Sequence, residues 1–347
     1  MKVKDARRAA ANWVQTHAAP EEWFRGAYFN GSTIDMPDDA ELPASSDVDI
    51  VVVTAEDEPP VKPGKLVFQN ALIEVTLISW NQLTSAEEVL ANYHLAGGFR
   101  KDTIISDPIG QLRKLQDEVG VRFNEMAWVR RRCESARDRI VSGLGALDVH
   151  APLHDRLTAW LFPTGVTTHV LLVAALRNPT IRLRYAAARE VLKEYGQQHL
   201  YPQLLRLLGC SHLTASRVEH HLGELARTFD AAAEAVRTPF FFRSDISVLS
   251  RPIAIDGSRD LIHSGQHHEA VFWIAATFAR CHQIFAADAP HLQQAYLPAL
   301  LALSDDLGVT DASAMASRAE GVLQFLPELW EAAERLLQLN PAIQQNE

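Results

Sequence analysis

The pattern of apolar residues changes near residue 107, and this change is the strongest constraint on how the chain can fold. Before it, short apolar runs are separated by turn residues, which is typical of β-strands. After Gly110, apolar residues recur at helical spacing over long stretches. We therefore predict an α/β domain over residues 1–110, followed by an all-helical domain over residues 111–347.

The first domain is predicted to contain five strands and two helices. The strands are predicted at Arg25–Phe29, Asp47–Thr54, Leu66–Phe68, Ala71–Ser79 and Thr103–Ser106. Gln69 and Asn70, between the third and fourth runs, indicate a hairpin turn. Helices are predicted at Lys4–His17 and Thr84–Leu95, the second with a capping box of Thr84 and Glu87 and a stop at the following glycine pair.

The second domain is predicted to be built from eight helices, with prolines marking breaks between them or their first residues. They are predicted at Gln111–Leu147, Thr167–Leu176, Arg182–Tyr195, Tyr201–Leu208, Ala215–Arg237, Gln266–Phe285, Ala312–Phe325 and Glu328–Leu339.

Charge and cysteine usage narrow the class of protein. The formal charge is −10, and residues 1–120 carry most of it, with 19 acidic against 11 basic residues. An acidic first third argues against nucleic-acid coating, which needs a basic face. The three cysteines form no CxxC pair, so buried reduced thiols are expected. The N-terminus has no apolar core of a signal peptide and the apolar runs are shorter than a membrane span, so we predict a cytoplasmic protein without a membrane partner.

Two aspartates at the start of the strand DVDIVVVT carry the most specific chemistry. Asp47 and Asp49 are two residues apart, so their side chains share one face of the strand, and Val48 and Ile50 point to the other face. Paired carboxylates resist burial unless a cation lies between them. Hard divalent ions such as Mg²⁺ prefer oxygen ligands of this kind. A solvated strand edge is the alternative for this pair taken alone.

Two further sequence features fit a metal and phosphate site that includes Asp47 and Asp49. Glu74 interrupts the otherwise apolar strand ALIEVTLIS, which can pair beside DVDIVVVT. Gly31 and Ser32 follow an earlier strand, where a glycine admits a phosphate close to the backbone and a hydroxyl can donate to it. Together these residues indicate metal-assisted phosphoryl or nucleotidyl transfer.

The order Gly31-Ser32, Asp47-x-Asp49 and Glu74 resembles the motif of the nucleotidyltransferase superfamily, and most closely its antibiotic adenylyltransferases. The resemblance covers roughly residues 20–110, and the acidic spacer after Ser32 is longer than usual. It implies an α+β nucleotidyltransferase domain with a small mixed sheet, followed by a helical domain for acceptor binding and oligomerisation, with a homodimer left open.

The resemblance also implies roles for these residues. Gly31 and Ser32 would bind nucleotide phosphates, Asp47 and Asp49 would hold one or two Mg²⁺ ions, and Glu74 would complete the metal site or act as general base. The implied reaction moves a nucleoside monophosphate, AMP from ATP or another from its triphosphate, onto a hydroxyl of a small molecule such as an aminoglycoside-like antibiotic. A protein-adenylylating, antitoxin-like enzyme and a non-catalytic nucleotide-binding protein are the alternatives.

Three residues of the helical domain are candidates for the acceptor side. Glu190 follows an arginine-rich helix start and could face a cationic acceptor. His267 and Glu269 lie in the first turn of a strongly apolar helix, where they could bind the acceptor or move its proton. The alternative for Glu190 is an ion pair on a solvated helix face. The alternative for Glu269 is an acidic residue that stabilises the helix dipole from the first turn. The acidic loop over residues 35–41 is interpreted as a solvated loop, and guidance of a cationic acceptor is the alternative.

Overall fold

The computed structural model describes residues 1–345, and they divide into two compact units. The first contains residues 1–132 with the short segments Pro239–Asp245 and Ala342–Glu347, the last described as far as Gln345; the second contains Cys133–Thr238 and Ile246–Pro341. The division lies 22 residues beyond the predicted boundary at residue 110. One reason is that Leu112, in the first predicted helix after that boundary, lies against Gly26 of the first strand.

The first unit contains a five-stranded mixed sheet in the order β3-β4-β2-β1-β5. The strands are β1 (Phe24–Asn30), β2 (Val48–Thr54), β3 (Gly64–Phe68), β4 (Ala71–Ser79) and β5 (Ile104–Ser106). β2 and β4 are parallel, and the other neighbouring pairs are antiparallel. All five predicted strands are thus present. Gln69 and Asn70 both have positive φ angles, of 48° and 64°, which suits the two-residue hairpin that joins β3 to β4.

One face of this sheet packs on helix α1 (Val3–Trp13), which continues as a single wider turn to Ala18. Val48, Ile50 and Val52 of β2 belong to the buried cluster on that face, together with Ala6 and Ala10 of the helix. Because strand residues alternate between faces, Asp49 and Val51 point to the opposite face. The apolar alternation in the sequence therefore places the carboxylate away from this core.

The remaining helices of the first unit are α2 (Ala86–Ala91), α3 (Gln111–Arg122) and the first part of α4 (Met126–Gly145). The predicted cap of α2 was wrong by one residue. Ser85, not Thr84, accepts the backbone N–H of Glu88, at 3.3 Å, and Thr84 follows a short 3₁₀ turn. The helix ends at Ala91 rather than at the glycine pair, which lies in a 3₁₀ turn over Ala96–Phe99.

The second unit is entirely helical apart from its connections. Its helices are the rest of α4, then α5 (Leu153–Ala174), α6 (Arg184–Glu194), α7 (Tyr201–Leu207), α8 (Ala215–Ala235), α9 (Gly257–His263), α10 (His267–Asp288), α11 (Pro290–Asp306) and α12 (Ala312–Leu339). Two of these, α9 and α11, were not predicted. Cys133, Cys210 and Cys281 are buried and form no disulfide bond within residues 1–345, as expected.

Prolines break fewer helices than predicted. Pro163 lies inside α5 and Pro327 lies inside α12, so that the two predicted helices around Pro327 are one. Pro163 is accommodated against Gly143 of α4, where a Cβ atom would come within 2.5 Å of the proline Cγ. A proline that packs well can remain in a helix although it removes one backbone hydrogen bond.

Two helices of the second unit, α5 and α10, are long and apolar enough to cross a membrane by length and composition alone. In each, 83% of the most apolar window is buried inside the protein. Core helices of soluble proteins share this property, so the two helices do not by themselves indicate a membrane.

Candidate metal centre

A row of polar residues crosses four strands of the sheet in the first unit. Asp49 of β2 lies opposite Glu74 of the parallel strand β4, and Glu74 lies opposite Lys65 of β3. On the other side, Asp49 lies opposite Asn30, the last residue of β1. Directly opposed residues project to the same face of a sheet. Strand register therefore brings residues that are far apart in sequence to one place.

The three carboxylates predicted from the sequence form one cluster. One oxygen from each of Asp47, Asp49 and Glu74 lies within 4.8 Å of the others. All three side chains are half-buried. Among residues 1–345, no other group of three or more His, Cys, Asp or Glu residues has ligand atoms this close together. Three oxygen donors in this arrangement suit a hard divalent cation.

Gly31 leaves room for the carboxylate of Asp49. Its φ angle is +69°, a left-handed conformation that favours glycine, and a Cβ atom there would lie 1.8 Å from Oδ2 of Asp49. Ser32 follows at the start of a 3₁₀ turn over Ser32–Asp35 and is exposed. The glycine therefore has a packing reason that is independent of any ligand, and Ser32 is available at the surface beside it.

The surroundings of the cluster raise the pKa values of two of its carboxyl groups. Burial raises the pKa of Asp49 well above its usual range, and the charges of Asp47 and Glu74 raise it further. Burial also raises the pKa of Asp47, although the ammonium of Lys65 opposes that shift. Such carboxylates are stabilised in their charged form when a cation is added between them.

Two lysines that the sequence reasoning missed lie among the carboxylates. Lys62 donates to Oε1 of Glu74, and Lys65 donates to Oε2 of the same residue. Lys65 also pairs with Oδ2 of Asp47, at 3.2 Å. The Lys65 side chain is only 7% exposed. Its position opposite Glu74 on β3 could have been found from the hairpin turn, which sets the register of β3 against β4.

A fourth carboxylate comes from the distant segment Pro239–Asp245, which belongs to the first unit. Asp245 accepts a hydrogen bond from Lys65, at 2.9 Å. The neighbouring Ser244 packs against Gly64 at the start of β3, where a Cβ atom would lie 2.2 Å from the serine Oγ. Nothing in the sequence pattern connects this segment with β3, so only the tertiary structure reveals it.

The acidic loop over residues 35–41 is held by basic residues. Asp38 pairs with Arg7 and Asp39 pairs with Lys4, each at 2.7 Å, and both bases belong to α1. Asp35 pairs with Arg100 and with Lys101. The carboxylates of this loop are therefore engaged in ion pairs of the first unit and are not gathered into a metal site.

The three acceptor-side candidates lie in the second unit. Glu269 is 3% exposed, and it accepts hydrogen bonds from Arg189 and from the hydroxyl of Tyr201, the latter at 2.8 Å. Glu190 is exposed and pairs with Arg189, at 3.2 Å. Nε2 of His267 is 3.1 Å from the carbonyl oxygen of Leu213. These contacts account for the three side chains structurally, and their role toward an acceptor stays a prediction.

Comparisons with known proteins leave this site to be interpreted from its own geometry. No protein-family model matches the chain, and no curated protein and no solved structure matches it.

Proposed function

We propose that the chain is a divalent-metal-dependent nucleotidyltransferase, which moves a nucleoside monophosphate, AMP from ATP in the first instance, onto a hydroxyl group of a small molecule. The observation that carries the proposal is the cluster of Asp47, Asp49 and Glu74, whose oxygens lie within 4.8 Å of one another. The proposal includes the superfamily fold for the first unit, which is consistent with a mixed sheet that carries the cluster on one face.

The donor set fits Mg²⁺. All three groups offer carboxylate oxygens, which a hard cation prefers. Burial and the charges of Asp47 and Glu74 raise the pKa of Asp49, and added positive charge would stabilise its charged form. When bound, such an ion would neutralise charge that develops on the transferred phosphoryl group and on the leaving group. Asp47 and Asp49 are the residues we assign to hold it.

The other residues have roles that follow from their positions. Ser32 and the backbone beside Gly31 would donate to phosphate oxygens of the triphosphate. Glu74 would orient the acceptor hydroxyl and take its proton. In the balanced reaction, the acceptor oxygen forms a bond to the α-phosphorus, the bond from that phosphorus to the bridging oxygen breaks, and pyrophosphate leaves with the electron pair.

We assign acceptor binding to the helical unit, in line with the resemblance. An aminoglycoside-like cation is the acceptor class that we test first, because the first third of the chain is acidic. Antibiotic modification would then be the biological activity, and a cytoplasmic location is the corresponding expectation.

The test is incubation of the pure protein with each α-labelled nucleoside triphosphate, Mg²⁺ and a panel of aminoglycosides and lincosamides, with mass detection of adducts. Transfer to a small molecule in wild type, lost in Asp47→Asn, supports the proposal. The matched control is Asp117→Asn, which makes the same change on the exposed surface of α3 and leaves transfer intact.

Two outcomes contradict the proposal. Label on a protein and on no small molecule points to the protein-adenylylating alternative. Nucleotide binding without transfer to any acceptor, and equal behaviour of Asp47→Asn and wild type, points to a non-catalytic nucleotide-binding protein.

A further inference from the structure

Lys65 forms ion pairs with three carboxylates and is only 7% exposed. Its ammonium pairs with Glu74, with Asp47 at 3.2 Å and with Asp245 at 2.9 Å. Three donors of one ammonium match three carboxylates. Lys65 is therefore a charged, nearly buried part of the centre.

Each oxygen of Glu74 faces an ammonium group of the protein, and these two positive charges repel a divalent cation that approaches Glu74. Lys62 donates to one of its oxygens and Lys65 donates to the other. A divalent ion that bridged Glu74 and Asp47 would have to come between these groups and Lys65, which already joins them. The space between those two carboxylates thus contains a positive charge that belongs to the protein.

Asp49 differs from Glu74 in this respect. Within residues 1–345, no lysine, arginine or histidine forms an ion pair with Asp49. The neighbouring Asp47 meets Lys65 through Oδ2. Within the described residues, Asp49 is therefore the one carboxylate of the three without an ion pair, and it lies two residues from Asp47 on the same strand.

We propose that Lys65 takes the place of a second metal ion, so that the nucleotide-free protein binds one divalent cation, between Asp47 and Asp49, and Glu74 is positioned by lysines rather than by metal. Asp245 holds Lys65 in this place. The inference rests on the proposed function, since it assumes that the centre takes a divalent ion. Lys65 is a positioning residue in this scheme.

The test is a count of bound Mn²⁺ ions in the nucleotide-free protein by electron paramagnetic resonance titration. We expect one ion per chain in wild type and in Lys65→Arg, which keeps the cation. We expect two in Lys65→Gln, because Glu74, Asp47 and Asp245 then lose the ammonium that joins them. Lys114→Gln, at a lysine that is 78% exposed, is the matched control and keeps one ion.

Two ions in wild type, or a single ion in a folded Lys65→Gln protein, overturns the inference. Should circular dichroism show that Lys65→Gln does not fold, Glu74→Gln decides the question. That variant keeps one ion with a dissociation constant within about fivefold of wild type if Glu74 is not a ligand, whereas loss of a ligand weakens binding by more than about tenfold.

The ion count and the transfer assay distinguish failure of this inference from failure of the proposed function. A count of one ion in a protein that transfers no nucleotide overturns the proposed function and leaves the inference standing. Absence of Mn²⁺ binding overturns the centre itself, and with it both proposals.

Discussion

Two carboxylates, one in each unit, have opposite electrostatic surroundings. In the helical unit, Glu269 is almost completely buried, and its charge is met by Arg189 and by the hydroxyl of Tyr201. In the sheet unit, Asp49 is half-buried beside two other carboxylates, and no base pairs with it within residues 1–345.

The difference separates a structural carboxylate from a candidate ligand. A buried charge that its own protein compensates contributes to a stable arrangement, and removing it leaves its partners unpaired. A group of like charges without full compensation lowers stability unless a cation joins it. Glu269 and Asp49 were both candidates from the sequence, and only their surroundings distinguish them.

The largest predicted effect concerns the rate of nucleotide transfer, which tests whether Asp49 is a metal ligand. We expect Asp49→Asn to lower nucleotide transfer by at least about a thousandfold, because the variant loses a charged oxygen ligand and keeps the shape of the side chain. Steady-state rates measured beside the Asp117→Asn control test this expectation. Transfer at the wild-type rate in Asp49→Asn would place the chemistry elsewhere.

A buried histidine of the helical unit gives a third case. Its positive charge would have no partner among the described residues, so the side chain stays neutral, whereas the charge of Glu269 is met by Arg189. His282 is fully buried, its ring nitrogens have no hydrogen-bond partner within residues 1–345, and burial together with nearby His154 lowers its pKa to about 4. Above pH 6.5 the imidazole is neutral in the folded and the unfolded chain. Below that pH the unfolded chain binds a proton that the folded chain does not, so stability falls toward pH 4 by about 3 kcal/mol.

Urea unfolding at pH 7.5 and at pH 4.5 measures this effect. The difference between the two values should shrink in His282→Leu, which cannot bind the proton. The same substitution at the exposed His291 is the matched control. An undiminished difference in His282→Leu would assign the acid sensitivity to other groups.

The structural role of Glu269 predicts a loss of stability of intermediate size. Glu269→Ala removes the acceptor of the Tyr201 hydroxyl and the buried partner of Arg189. We expect a decrease of about 2 kcal/mol in the free energy of unfolding, because Arg189 stays partly solvated and keeps its pair with Glu190. Glu190→Ala, which removes an exposed partner of the same arginine, should change it by less than about 0.5 kcal/mol. Equal effects of the two substitutions would remove the basis for calling Glu269 structural.

The smallest effect has the opposite sign. In the presence of EDTA, Asp49→Asn should raise the free energy of unfolding by about 1 kcal/mol, because it removes repulsion with Asp47 and Glu74. Added Mg²⁺ should then stabilise wild type and have little effect on the variant. Thermal unfolding with and without the ion compares them, and a destabilised variant in EDTA would show that Asp49 is compensated after all.

Much of the sheet unit was predictable from the sequence. The alternation in DVDIVVVT placed Val48 and Ile50 in the core and Asp49 on the other face, because strand geometry has a period of two residues. The hairpin turn at Gln69 and Asn70 was visible for a similar local reason. The cap of α2 was misplaced by one residue, since Thr84 and Ser85 both suit that position.

Other elements depended on packing that no local pattern reports. The sequence pattern predicts breaks between helices at Pro163 and Pro327, yet both lie inside helices, and Gly143 leaves room for the ring of Pro163. The unpredicted helix α11 likewise contains Pro298.

The sequence by itself determined the strand that carries Asp47 and Asp49, the order of the motif and the division into a sheet region and a helical region, since these follow from local periodicity and turn chemistry. Only the tertiary structure decided which charges meet. Strand pairing set Lys65 against Glu74, and the packing of Ser244 on Gly64 brought Asp245 to Lys65 across 180 residues of chain. The interaction between two charges depends on the distance between them in space. Local sequence patterns do not report that distance for residues that are far apart in the chain.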